Sequence, residues 1–174
     1  MDTFLIAGWR PRVKAFLYDY LLIVLYISLL ALLSISPPGE RLAGFFTSPA
    51  SADLAAFVLL VLPVLLYFAL LEGGSSGATW DKRRAGVRVI RTDGGRLGYS
   101  RSLLRETVRF LPWQMAHTAV YRYAFAPDYI AWRAPALNGA SLALAAYYLI
   151  DLVRRADHRP LYDRMAGSMV VTRR

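Results

Sequence analysis

The sequence contains no cysteine, which excludes a disulfide framework and any thiolate metal site and leaves the redox compartment open. Its two histidines, His117 and His158, stand alone and lack the spacing of a metal pair. Charge is scarce as well: 19% of residues are charged, against about 25% in an ordinary soluble domain. Motifs that carry chemistry are missing too. There is no nucleophile elbow and no metal-binding helix motif, and Gly73-Gly74-Ser75-Ser76-Gly77 lacks the lysine that would make it a phosphate loop. We therefore expect no catalytic residue, no metal, no cofactor and no enzymatic activity. Lipidation motifs and low-complexity tracts are absent as well.

What is present is apolar, 56% of 174 residues, and it comes in blocks. About 20 mostly apolar residues are enough to cross a bilayer core of about 30 Å. The first block runs from about Ala15 to Ser36, has Asp19 as its only charge, and is ended by Pro37-Pro38-Gly39. The second runs from Leu54 to Leu71 without a charge and carries Pro63 in its middle. In lipid, the carbonyl that such a proline frees needs a partner on a neighbouring segment. The last clear block is Ala134 to Ile150. Before it, Phe110–Pro127 is apolar and aromatic but includes Gln114, His117 and Arg122. Met1–Arg10 lacks the basic start and short apolar core of a cleavable signal, so the first block is expected to stay as an anchor.

The formal charge is +9, a value that suits nucleic acid. The positions of the charges argue otherwise, because they lie between the apolar blocks, where the positive-inside rule places them. No nucleic-acid partner is expected. Lys and Arg number three before the first block, one in the next loop, nine in the following loop, two between the third and fourth segments, and six after the last. If Phe110–Pro127 crosses the membrane, eighteen of the 21 fall on one side. If it does not, the six-charge tail falls outside. The expected fold is an all-α membrane protein, a bundle of about four transmembrane helices (about 15–36, 54–71, 110–127 and 134–150). Both termini are then cytoplasmic and the whole chain is one domain. Trp9, Trp80, Trp113 and Trp132 fall near the expected interfaces.

The long loop from Thr79 to Arg109 carries the nine basic residues. Val87–Arg91 roughly alternates apolar and basic, as a short strand does, and Asp93-Gly94-Gly95 signals a turn. Ser100–Leu111 has helical spacing, with Leu104, Val108 and Leu111 on one stripe and Arg101, Arg105 and Arg109 beside it. That pattern predicts an interfacial helix on anionic headgroups. Trp80 to Arg91 is echoed by Tyr162 to Arg173: with one residue of slack, each reads aromatic, acid, base, Ala-Gly and then a β-like run. The echo predicts two similar elbows whose strands pair, bringing Val89 near Val171.

These residues resemble the RDD family of membrane proteins, named for one arginine and two aspartates. Arg12 and Asp19 have the family's seven-residue spacing. Gly77-Ala78-Thr79-Trp80-Asp81-Lys82-Arg83 with Gly86, Val89 and Asp93-Gly94 matches the family's loop pattern. Asp163-Arg164-Met165-Ala166-Gly167-Ser168-Met169-Val170 matches the closing one. Asp81 stands where the family usually has glycine, and Ser168 where it usually has threonine. Asp163 is the match to the second aspartate, with Asp151 the weaker claimant. The resemblance implies a bacterial cytoplasmic-membrane protein and a small transporter, with cation/proton antiport attributed to some members.

Asp19 is the most informative position. An acid inside a spanning helix costs about 2.5–3.5 kcal/mol on insertion scales, and none of Ala15, Phe16, Leu22 or Ile23 can neutralise it. Its partner is expected among Lys82, Arg83, Arg164 and Arg12. A structural ion pair ranks above a proton or cation site, because Asp19 lies toward one edge of its span rather than the midplane. Arg12, Asp19 and Asp163 form the candidate site, with Glu72, Lys82 and Asp151 as secondary members. Arg12 is expected to anchor topology, Glu72 to be solvated at a helix end, Asp151 to pair locally with Arg154 and Arg155, and Tyr147 and Tyr148 to serve packing. The expected partners are a bilayer with anionic headgroups and either further copies of the chain or a larger membrane complex, in which an accessory role is the alternative to transport.

Overall fold

The computed structural model of the chain describes residues 5–125 and 132–172. The order of elements is α1 (Trp9–Ser34), α2 (Pro37–Ala43), α3 (Pro49–Ala56), a π-helical turn (Phe57–Val61), α4 (Leu62–Gly73), α5 (Trp80–Arg84), β1 (Val87–Arg91), α6 (Tyr99–Phe125), α7 (Arg133–Arg154), α8 (Leu161–Met165) and β2 (Ser168–Thr172). Three helical stretches, Trp9–Ser34, Pro49–Gly73 and Arg133–Arg154, are long and apolar enough to cross a membrane. They contain most of three expected spans.

The expected interfacial helix and the expected 110–127 span are parts of one helix, α6, which runs through Pro112 without a break. Residues 126 and 127 lie outside the described residues. The second long helix starts at Pro49, ahead of the expected Leu54, because Ser48 and Ser51 form a reciprocal cap. Ser48 Oγ accepts from the Ser51 amide at 3.2 Å, and Ser51 Oγ accepts from the Ser48 amide at 3.0 Å. The helix therefore takes in Asp53, whose carboxylate accepts from Thr118 at 2.9 Å and Gln114 at 3.3 Å.

Burial along α1 is inverted relative to a soluble helix. Leu17, Leu21, Leu25, Leu29 and Leu32 face outward, Leu25 at 71% exposure, while Arg12 and Asp19 are buried. Hydrocarbon rather than water suits that outer surface.

The chain divides into two compact units. The first holds the residues through Leu21, Leu65–Arg109 and Ala146 onward; the second holds Leu22–Val64 and Phe110–Ala145. In the first, Ala7, Ala15, Val87, Val89, Leu97 and Val170 make a small apolar core. The expected ribbon is present: β1 and β2 pair antiparallel, with Val89 opposite Val170 and Arg88 opposite Val171. The register is one residue from the expected Val89–Val171 pair.

The two elbows repeat each other without slack. Each is a five-residue helix, then alanine in right-handed conformation, glycine at positive φ (Gly86 at 69°, Gly167 at 62°), and a five-residue strand. Counted from the glycines, Lys82 rather than Asp81 is the equivalent of Asp163. Gly77, at φ 60°, leads into the first elbow, and a Cβ there would sit 2.6 Å from the Val89 carbonyl oxygen. Only glycine combines that conformation with that closeness.

In the second unit, Pro63 has no amide proton to offer the Leu59 carbonyl four residues earlier. The Tyr26 hydroxyl donates to that carbonyl at 2.5 Å, supplying the partner the sequence called for. A cavity of about 170 Å³ in this unit is lined by apolar and aromatic side chains such as Ile23, Val61, Val64, Phe110 and Trp113, with the His117 imidazole as its ionisable member.

Candidate functional site

Six buried charges in the first unit alternate in sign. Asp19, on α1, faces the Lys82 ammonium at 3.2 Å. Lys82, at the third position of α5, also reaches Glu72 at 2.7 Å. Glu72, in the last turn of α4, pairs with Arg105 on α6. Arg105 Nε lies 2.7 Å from Asp163 on α8, and Asp163 lies 2.5 Å from Arg12, back on α1. The series therefore leaves and re-enters the same helix. The two elbows hold α1 with opposite polarity, since Lys82 meets its acid and Asp163 meets its base.

Neutral donors and rings complete the cluster. Thr79 caps α5 by accepting from the Lys82 amide at 3.3 Å, and its hydroxyl donates to Asp19 at 3.1 Å. Ser168 donates to Asp163 at 3.0 Å, helping to satisfy the acid. Glu106 accepts from Arg105 at 2.5 Å and from Arg109 at 3.1 Å. The Phe68 ring lies 4.9 Å from the Lys82 nitrogen and 4.6 Å from the Arg109 guanidinium. Burial alone would raise the Asp163 carboxyl, but Arg105 and Arg12 beside it outweigh that and hold its pKa at about 2. Asp163 is therefore a permanent anion at neutral pH.

The three primary candidates, Arg12, Asp19 and Asp163, meet in this one cluster, and Lys82 is the partner of Asp19. Three expectations need correction. Glu72 is not solvated: it is fully buried, because Lys82 and Arg105 reach it from other elements. Asp151 does not pair with Arg154 or Arg155; its carboxylate takes Arg164 at 2.6 Å, tying α7 to the second elbow. Arg164 also donates to the Tyr147 hydroxyl at 2.9 Å. Nor does the arginine stripe of α6 lie on headgroups as a whole. Arg101 is exposed, but Arg105 is 2% exposed, since three carboxylates neutralise it.

Sequence reasoning missed Arg105, Glu106 and Arg109 as site residues. The available signal was Glu106 itself, the only acid in α6, set beside arginines one position before and three after.

A family model for the RDD family matches residues 6–167. The chain belongs to the RDD family. No curated protein and no solved structure matches it. With the family shown and three helices able to span a bilayer, this is a membrane-type protein. Arg12, Asp19 and Asp163, the residues matched from the sequence pattern to the family's arginine and two aspartates, lie within one buried cluster. Arg12 grips Asp163 directly, while Asp19 connects to them through Lys82, Glu72 and Arg105.

Proposed function

We propose that this RDD protein is a non-enzymatic accessory subunit of the bacterial cytoplasmic membrane, in which the buried charges act as a clasp. Four spans cross the membrane, α6 supplies the third, and both termini lie in the cytoplasm, where the basic segments meet anionic headgroups. The exposed leucine row of α1 faces lipid, further copies of the chain or a larger complex. The observation that carries this reading is that every acid of the alternating series is held by a cation from another element. Such mutual saturation suits a fixed scaffold better than a site that must load and release an ion. The cavity of the second unit has an apolar lining that does not solvate a cation.

A second reading is cation/proton antiport through Asp19, favoured by a further buried acid, Asp81, beside it. Purified protein in vesicles containing a pH-sensitive dye decides between the two. The accessory reading expects no cation-dependent proton movement. A flux that Asp19→Asn abolishes overturns it in favour of antiport.

A further inference from the structure

The buried cluster carries one negative charge too many. Three buried cations, Arg12, Lys82 and Arg105, with the partly buried Arg109 at the edge, face five carboxyls, Asp19, Glu72, Asp81, Glu106 and Asp163. Asp19, Glu72 and Asp163 belong to the alternating series, and Glu106 accepts a guanidinium on each oxygen. Asp81 is the residue left over. It is 2% exposed, and its Oδ2 is buried without a hydrogen-bond partner. A lone buried carboxylate oxygen is among the costliest groups a protein can hold.

Asp81 sits within hydrogen-bonding reach of the Asp19 carboxyl, and two ionised carboxylates have only acceptors to offer each other. The groups around this corner are Asp19 from α1, Tyr67 and Glu72 from α4, and Lys82, Arg83 and Arg84 from α5 itself. Asp19 already receives the Thr79 hydroxyl on one oxygen and the Lys82 ammonium on the other. Arg83 and Arg84 point to solvent, Arg84 stacked 4.3 Å over Trp80. No group of three His, Cys, Asp or Glu that could hold a metal ion occurs among the described residues.

We propose that Asp81 and Asp19 share one proton as a carboxylic acid–carboxylate pair, and that this single-proton site brings the buried cluster to neutrality. The proton enters with Asp81, and the site is independent of whether the chain transports anything. Burial and the neighbouring Asp19 both push the Asp81 carboxyl up, and Lys82 and Arg84 oppose this without reversing it.

Infrared spectroscopy of the full-length protein in lipid nanodiscs tests this. At neutral pH the wild type is expected to show the carbonyl stretch of a protonated carboxyl, shifted in heavy water. The band is expected to be lost in Asp81→Asn and Asp81→Gly, and kept in Glu106→Gln. No band in the wild type, a band that survives both Asp81 variants, or a band lost only in Glu106→Gln overturns the assignment. Stability gives a readout that does not need the variants to fold. A group whose folded pKa is raised stabilises at low pH and loses that contribution as pH rises through the folded pKa. The wild-type band and this part of the stability are therefore expected to disappear together on alkaline titration. A band that persists after that loss also overturns the proposal.

Discussion

The Tyr148 hydroxyl donates at 2.8 Å to the Val108 carbonyl, the one that Pro112 leaves without an amide donor four residues later. Tyr26 does the same for Leu59 ahead of Pro63. Tyr148 is therefore more than the packing residue its sequence context suggests. Prolines inside helices that meet lipid leave an acceptor that water cannot reach, and at Pro63 and Pro112 that acceptor is answered by a tyrosine from another helix. The unbroken course of α6 rests on the first of these pairs.

Removing that hydroxyl leaves the acceptor empty only while the proline is present. Tyr148→Phe is expected to lower stability by about 1–2 kcal/mol. In a Pro112→Ala background the helix supplies its own donor to Val108, so the same substitution is expected to cost less than half as much. Thermal unfolding in detergent of the two single variants and the double variant measures the difference. Equal costs in both backgrounds mean that the hydroxyl has some other role.

Much of this was legible in the sequence because the evidence was local. Runs with at most one charge marked three of the long helices, and the repeated Ala-Gly marked both elbows and their ribbon. The misreadings came from contacts between residues far apart in the chain. Glu72 looked solvated because its cations are Lys82 and Arg105, outside its own helical turn. Arg105 looked like a headgroup contact because helical spacing reveals neighbours three or four positions away and nothing of Asp163, 58 residues on. The elbow alignment slipped for a chemical reason. Matching acid to acid paired Asp81 with Asp163, whereas the backbone pairs Lys82 with Asp163 and inverts the charge.

Lys82 bridges two acids, so its loss should be felt by both. Lys82→Met removes the ammonium from Asp19 and Glu72 and is expected to cost about 3–5 kcal/mol, the usual range for breaking a buried pair from one side. Adding Asp19→Asn removes one stranded charge. The double variant is therefore expected to be more stable than the sum of the two single losses predicts. Additive losses across this cycle, measured by unfolding in detergent, count against the pairing.

Glycine is required at Gly77 for two reasons and at Gly86 for one. Both have positive φ, but a Cβ on Gly86 meets nothing within 4 Å, while one on Gly77 collides with the Val89 carbonyl. Gly86→Ala is expected to cost about 1–2 kcal/mol, the price of a left-handed alanine. Gly77→Ala is expected to cost clearly more and to open the β1–β2 ribbon, which hydrogen exchange of the Val89 amide detects because that amide donates to the Gly77 carbonyl at 2.7 Å. Equal destabilisation by the two substitutions contradicts the close approach.

Acid tests the other end of the charge series. Asp163 is held at about 2 in the folded protein, against about 3.9 in an unfolded chain. A depressed carboxyl contributes stability above the unfolded value and loses it as pH falls through the folded one. At about 1.4 kcal/mol per pH unit, Asp163 accounts for about 2–3 kcal/mol that should vanish between roughly pH 4 and pH 2. Asp163→Asn is expected to be less stable at neutral pH, because Arg12 and Arg105 lose their shared anion, and to show a shallower acid limb over that window. If the variant's acid limb matches the wild type's, Asp163 is not the anion that Arg12 and Arg105 enclose.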